Sequence, residues 1–128
     1  MENGYQNQLK LKIKGFAHLI YRISKDFPRE ESYGMTSQIR RAAISVLLNC
    51  VEGYARQSGG MTRNFFKTSY GSLKETVVLV EFARDEGYIQ DEDAADKALK
   101  QADEIGAMLW RIIQNNKSNV PCSMNNDQ

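Results

Sequence analysis

The sequence is poor in the residues that nucleophilic catalysis, metal binding and disulfide frameworks require. It holds one histidine and two cysteines in 128 residues. The helical pattern places His18 on a solvated face, with no second histidine or cysteine at ligand spacing. A single exposed histidine also supports no Ser-His-acid or Cys-His pair, and two cysteines make no disulfide framework. We therefore expect no enzyme activity, no metal and no cofactor.

Long apolar runs are also missing. No window approaches the roughly 18 to 20 apolar residues of a membrane span. The lysines near the start are followed by no apolar segment of the kind that a secretory signal has. Cys50 lies in an apolar helical stretch and Cys122 in a polar one, which favours two free thiols in a reducing compartment. These features predict a cytoplasmic protein without a membrane partner.

Only two prolines interrupt the chain, so long helices are permitted, and apolar residues recur at helical spacing in four segments. Residues three and four apart share one face of a helix. The four inner stripes are Leu9, Ile13, Phe16, Ile20, Ile23 and Phe27; Met35, Ile39, Ala42, Ala43, Val46, Cys50 and Gly53; Phe66, Ser69, Tyr70, Leu73, Val77 and Val80; and Ala94, Ala98, Ala102, Ile105, Leu109 and Ile112. No period-two pattern appears. We predict an all-α protein, an antiparallel up-down-up-down four-helix bundle over residues 1–117, with a disordered tail at 118–128.

Local signals mark the ends of these helices. Pro28 ends the first helix, because proline restricts the residue before it. Thr36 is the expected start signal of the second helix, and Thr62 is the expected N-cap of the third. Gly87 is the expected left-handed stop of the third, and Asp91 the expected N-cap of the fourth.

The second and third helices each have a further stripe opposite the inner one. These outer residues are Ile44, Leu48, Val51 and Ala55, and Gly71, Glu75, Val78 and Phe82; a weaker stripe on the fourth helix is Leu99, Gly106, Trp110 and Ile113. One explanation is that the second helix is the most buried helix of the bundle. A four-helix bundle has no central helix, however, and monomers rarely expose such a patch. We therefore predict that the eight residues of the second and third helices form an oligomer interface, in which an arginine of a neighbouring subunit pairs with Glu75.

Basic residues are concentrated in the first half of the chain. Residues 1–67 hold 11 Lys/Arg and 5 Asp/Glu, whereas residues 68–128 hold 6 and 11. Either the two halves attract each other, or the first half faces an anionic partner. Candidate contacts to the phosphates of RNA or DNA are Lys14, Arg22, Lys25, Arg40, Arg41, Arg56, Arg63 and Lys67. The alternative is that these residues form solvated faces and ion pairs, such as Arg56 with Glu52 one turn earlier.

Several motifs resemble the bacterial four helix bundle protein family, also called the 23S ribosomal RNA intervening-sequence proteins. They are FPREESYGMTSQIRRAA at 27–43, NCVEGYAR at 49–56, Phe66, GSLKE at 71–75 and GY at 87–88. The resemblance covers roughly residues 8–115. It implies that Arg40, Arg41, Asn49, Glu52, Gly53, Arg56, Gly71 and Glu75 occupy the polar motif positions of the family. Cys50-Val51 departs from the Ile-Ala that is more frequent there.

The resemblance implies a ring-like homopentamer without enzymatic activity. The family is similar to the accessory protein of diversity-generating retroelements, a pentameric bundle that binds nucleic acid and a reverse transcriptase. The hypothesis from the sequence is therefore a non-enzymatic homo-oligomer, with five subunits, that binds RNA or DNA through a basic surface. The alternative is a scaffold that binds a protein partner and no nucleic acid.

Overall fold

The computed structural model describes residues 4–56 and 60–117 and shows four long helices. They are α1 (Gly4–Ser24), α2 (Met35–Ala55), α3 (Thr62–Asp85) and α4 (Glu92–Lys117), with a 3₁₀ turn at Arg29–Glu31 between the first two. This part of the chain contains no strand. The all-α prediction is confirmed, whereas the predicted tail at 118–128 lies outside the described residues.

Consecutive helices run in opposite directions. Tyr5, at the start of α1, donates a hydrogen bond of 3.0 Å to the carbonyl of Met108, near the end of α4. Arg84, at the end of α3, donates one of 2.8 Å to Asp96, near the start of α4. Within the described residues α1 and α3 each pack on α2 and α4, while α1 does not contact α3. These pairings are those of an up-down-up-down bundle.

The inner stripes form the core. Every residue of the first two stripes is buried, and so are most residues of the other two. The prediction was one position off at the end of α4, where Ile113 rather than Ile112 is fully buried. A strict alternation of three and four drifts by about 20° per heptad against a straight helix, so the extrapolated stripe leaves the core face.

Thr36 and Thr62 do not have the roles predicted for them at the helix starts. α2 begins at Met35, and the Glu31 carboxylate, not Thr36, accepts the hydrogen bond of its amide at 3.1 Å. α3 begins at Thr62 as expected, but Thr62 does not cap it, and its hydroxyl donates to the carbonyl of Arg56 at the end of α2. Glu31 and Thr62 each form a hydrogen bond with a backbone group that a helix end leaves unpaired. In both cases the side chain and the backbone group lie on different sides of a connecting segment, so the residue spacing within one helix does not predict the bond.

The connection between α3 and α4 follows the prediction. Gly87 has φ +79° and its amide donates to the carbonyl of Arg84, while the amide of Tyr88 donates to that of Ala83. This pair of bonds is a Schellman motif, which favours glycine in the left-handed position. Asp91 caps α4, since its carboxylate accepts the amide hydrogen bond of the residue three positions later at 3.0 Å.

Two arginines bind backbone carbonyls near helix ends. Arg40 donates through Nε to Ser24 Oγ at 2.8 Å and through a terminal nitrogen to the carbonyl of Tyr21 at 3.1 Å, and its guanidinium lies 4.7 Å from the centre of the Tyr21 ring. Arg63 donates through Nε to the carbonyl of Ile113 at 3.4 Å. A cation near a helix C-terminus is favoured by the helix dipole. Both residues therefore contribute to the bundle itself.

Small residues bring α2 and α3 close together. A Cβ atom added to Gly53 would lie 2.7 Å from carbons of the Phe66 ring. Farther along, the hydroxyls of Ser45 and Ser72 share a hydrogen bond of 2.7 Å across the same contact. We call this contact the α2/α3 seam. It leaves no room for a larger side chain at position 53 unless the Phe66 ring moves.

We expect Gly53→Ala to destabilise the protein by about 1–3 kcal/mol, because overpacking forces neighbours out of their preferred positions. Gly15→Ala is the matched control, since it is also in a helix interior but has open space around its Cβ position. That change should stabilise the protein by about 0.5–1 kcal/mol. Urea unfolding at a fixed protein concentration measures both. Equal changes in the free energy of unfolding for the two substitutions would contradict the close packing of Gly53 in the α2/α3 seam.

We expect Arg40→Gln to lower the free energy of unfolding by about 1–3 kcal/mol, because it removes charged hydrogen bonds at the end of α1. Arg41→Gln is the control at the neighbouring position, where the side chain is exposed and, among the described residues, donates only to Ser37 at 3.3 Å. Its effect should stay within about 0.5 kcal/mol. Urea unfolding of both variants provides the measurement. A larger loss for Arg41→Gln would show that the structural role is misassigned.

Candidate functional site

The predicted oligomer residues form an apolar strip on the surface of the protomer. Leu48 is 57% exposed, Val51 42%, Val78 59% and Phe82 51%. Ala55, Gly71 and Glu75 are exposed as well, and Ile44 is half-buried. Of these residues only Ile44 packs against the core, so most of the strip takes no part in the interior of the bundle. Large apolar residues at such exposure are common features of interaction surfaces when they are contiguous.

The weaker stripe on α4 is mostly internal, contrary to its prediction as a side surface. Gly106 and Ile113 are buried, and a Cβ atom at Gly106 would lie 3.4 Å from Leu73. Trp110 stays half exposed and packs against Tyr70, with 5.4 Å between ring centres. The outer apolar surface is therefore concentrated on α2 and α3.

Open grooves run between α1 and α2, and single-helix periodicity gave no signal for them. One has a volume of about 230 Å³ and is lined by Lys14, Ala17, His18, Tyr21, Ile44 and Leu47. The other has a volume of about 240 Å³ and is lined by Gln6, Lys10, Cys50, Val51, Tyr54 and Ala55. A groove arises from the gap between two helices, so only their relative placement reveals it. We refer to the first of these as the α1/α2 groove.

Cys50 borders the second groove but is not suited to act as a nucleophile. The residue is buried. Burial raises the pKa of its thiol to about 12, since a low-dielectric environment disfavours the thiolate. The thiolate is the reactive species, so this thiol is inert near neutral pH.

Two of the candidate phosphate-binding arginines have acidic partners in the protomer. Arg56 pairs with Glu52 at 3.2 Å, as the i,i+4 spacing predicts, and lies 5.5 Å from the centre of the Phe65 ring. Arg22 lies 3.9 Å from Asp91, with both side chains well exposed. Exposed pairs of this kind contribute about 0–1 kcal/mol, so either arginine could exchange its partner at low cost.

Four other candidates have no acidic partner among the described residues. The ammonium groups of Lys14, Lys25 and Lys67 are exposed and make no hydrogen bond or ion pair with the described part of the chain. Arg41 bonds only to a serine hydroxyl. With Arg40 and Arg63 held at helix ends, these four are the cations of the candidate set that remain available for an external anion.

The surface of α1 and α2 is positive. Their helical segments contain six Lys/Arg and a single acid, Glu52. On α3, by contrast, Glu75 is exposed and pairs with no described residue. Its predicted partner in a neighbouring subunit remains a prediction.

Other kinds of site receive no support from the described residues. No group of three or more His, Cys, Asp or Glu side chains in residues 4–56 and 60–117 could hold a metal ion. None of the described helices is long and apolar enough to cross a membrane.

Comparison with known proteins places the chain in a family. The family model for the 23S rRNA-intervening sequence protein matches residues 6–111. A crystal structure from Bacteroides thetaiotaomicron, of a protein with unknown function from the S23 ribosomal protein family, superimposes with a TM-score of 0.75 at 26% sequence identity. The alignment covers 86% of this chain and 98% of that one. No curated protein matches. The chain therefore belongs to the 23S rRNA-intervening sequence protein family.

Proposed function

We propose that the protein is a non-enzymatic, self-assembling helical bundle that presents a basic surface to nucleic acid. The proposal rests on one observation, the strip of half-exposed apolar side chains on α2 and α3 beside a complete core. Fully burying one such side chain is worth about 1.5–3 kcal/mol, so covering the exposed half of four contributes roughly 3–6 kcal/mol per protomer before the costs of association. Self-association would bury these side chains against another copy of the same chain, so no other protein is needed.

The number of subunits follows from the family resemblance, which implies five. A repeating assembly is supported by the distribution of the exposed apolar residues, which lie on two helices, α2 and α3, and not on one. A copy could then contact two neighbours through two different faces. Rings arise when such contacts close on themselves.

The nucleic-acid part of the proposal rests on the cations without partners. Lys14, Lys25, Arg41 and Lys67 are exposed and form no ion pair with a described residue. Each lysine or arginine that contacts a phosphate releases condensed counterions, which favours binding at low salt. The family description refers to an insertion in 23S rRNA, which makes structured RNA the first probe to use.

A protein-interaction scaffold is the second candidate. The apolar floors of the two grooves between α1 and α2 favour it, because a groove of this kind accepts side chains of a partner. The two candidates differ in their response to salt. Phosphate contacts weaken steeply as salt rises, whereas apolar contacts do not.

We also propose that the protein catalyses no reaction. His18 is exposed and makes no hydrogen bond to another described residue, so nothing orients or activates it as a base. The Cys50 thiol is buried and protonated at neutral pH. Neither group has the arrangement that nucleophilic catalysis requires.

Light scattering tests self-assembly. A protomer of 14.6 kDa predicts about 73 kDa for five copies. We expect Leu48→Lys with Val51→Lys to lower the mass, because two charges would be placed within the apolar strip. Lys97→Glu with Lys100→Glu on α4 is a control that adds charge changes away from the strip and should leave the mass unchanged. A wild-type mass of one protomer at micromolar concentration would refute the oligomer.

Fluorescence anisotropy with structured RNA tests the nucleic-acid surface. We expect Lys25→Glu with Arg41→Glu to weaken binding at least tenfold and to reduce the dependence of affinity on salt, since two phosphate contacts are lost. The variant Lys97→Glu with Lys100→Glu changes net charge equally and should bind like the wild type. If both double variants lose the same affinity, the effect is one of net charge alone. Wild-type binding that is absent or insensitive to salt would favour the scaffold.

A further inference from the structure

We propose that subunits associate head to tail, with a ridge on α3 of one copy docked in the α1/α2 groove of the next. The ridge consists of Val78 and Phe82, which lie one helical turn apart on the outer face of α3. The inference rests on the proposed self-assembly and specifies which faces meet.

The α1/α2 groove has the shape and lining for inserted side chains. Its floor is apolar, from Ala17, Tyr21, Ile44 and Leu47, and its rim carries the cationic Lys14 and the imidazole of His18. At about 230 Å³ and open to solvent, it is smaller than the roughly 300–1,000 Å³ of ordinary small-molecule pockets. A protruding pair of apolar side chains from another helix suits it better than an enclosed ligand does.

The ridge has the complementary chemistry. Val78 and Phe82 are more than half exposed among the described residues, so much of each side chain is available to a partner. Glu75 and Asp85 continue the same stripe one turn to either side, and both are exposed and unpaired within the described residues. An apolar pair flanked by two carboxylates therefore faces outward on α3.

Charges of opposite sign favour this pairing and specify its partner. The rim of the groove lies on the positive surface of α1 and α2, where Glu52 is the only acid of the two helices. The ridge lies between Glu75 and Asp85. Complementary charges at the edge of an apolar contact speed association and disfavour wrong pairings, such as groove against groove.

The ridge and the groove lie on different helices of the bundle, which favours a repeating contact over a two-fold dimer. α3 is diagonal to α1 and does not contact it within the described residues, so the ridge lies on a different side of the protomer from the groove beside α1. A two-fold dimer covers both surfaces only when they belong to the same patch of the protomer. A ridge-to-groove contact instead leaves a free groove at one end and a free ridge at the other. Repetition of the contact covers both when the chain of subunits closes as a ring.

In the head-to-tail arrangement, some basic residues lie at the subunit boundary and others remain accessible to solvent. Lys14 and His18, at the rim of the groove, come to lie at the subunit boundary. Lys25, Arg41 and Lys67 do not line the groove and remain accessible to an anion. The apolar strips of α2 and α3 then act as two halves of one interface, the first beside the groove and the second as the ridge.

Complementation between two defective variants tests the proposal. The ridge variant is Val78→Lys with Phe82→Lys, and the groove variant is Lys14→Glu with Ile44→Glu. We expect each alone to be a folded monomer of about 14.6 kDa, with wild-type helical circular dichroism. Mixed in equal amounts, they should form a heterodimer of about 29 kDa, twice the protomer mass, and nothing larger. Each variant keeps only one intact half of the interface, so growth stops at two.

Two further variants keep the test decisive. Ile44 is half-buried, so a second groove variant, Lys14→Glu with His18→Glu, alters only exposed side chains and is used if the first fails to fold. Lys97→Glu with Lys100→Glu on α4 changes only exposed side chains outside both surfaces, and it should assemble like the wild type. Sedimentation velocity is run at the highest concentration at which each defective variant alone stays monomeric.

The outcomes separate the two levels of the proposal. A wild-type monomer would overturn self-assembly altogether. A wild-type oligomer whose ridge and groove variants are monomeric but yield no heterodimer when mixed would overturn the head-to-tail contact alone. The same holds if either variant alone still assembles, since another face must then join the subunits.

Discussion

The close approach of α2 and α3 is the constraint on which the surfaces of this bundle depend. Gly53 lies against the Phe66 ring, and Ser69 donates a hydrogen bond of 2.6 Å to the carbonyl of Val46 across the same seam. Small side chains in this contact let the two helices approach closely, while the apolar residues of the strip remain exposed. In the proposed assembly a neighbouring subunit covers these exposed side chains. The packing of α2 on α3 therefore fixes where the residues of the proposed interface lie.

The seam also fixes the relative position of the two apolar strips. Its hydroxyls are paired, Ser45 with Ser72 and Ser69 with a backbone carbonyl, so sliding α3 along α2 would leave buried polar groups without partners. A surface held this way loses little conformational entropy when a partner binds. The ridge on α3 can thus be presented at a defined height and angle relative to α2.

Much of this arrangement follows from sequence, but only where the signal lies within one helix. The inner stripes, the left-handed Gly87 and the Asp91 cap were all predicted, because each depends on residues within about one turn. The roles of Glu31 and Arg40 were missed, since their partners are backbone groups on another element. Backbone carbonyls have no sequence signature, so a motif arginine looks the same whether it binds phosphate or a helix end. The grooves between α1 and α2 were missed for the same kind of reason.

The basic residues fall into two groups, those bonded to backbone carbonyls and those without a described partner. The second group matters for both the proposed assembly and the proposed nucleic-acid binding. Arg40 and Arg63 use the fixed geometry of the guanidinium to bind carbonyls, whereas Lys14, Lys25 and Lys67 pair with no described residue. α1 has cations and no acids, and carboxylates elsewhere in the protomer pair with two of those cations, Glu104 with Lys12 and Asp91 with Arg22. In the proposed assembly, the carboxylates beside the ridge of a neighbouring copy supply opposite charge to Lys14 at the groove, and phosphates supply it to Lys25 and Lys67. Assembly and anion binding would then neutralise the charge of unpaired cations at two different places on the protein surface.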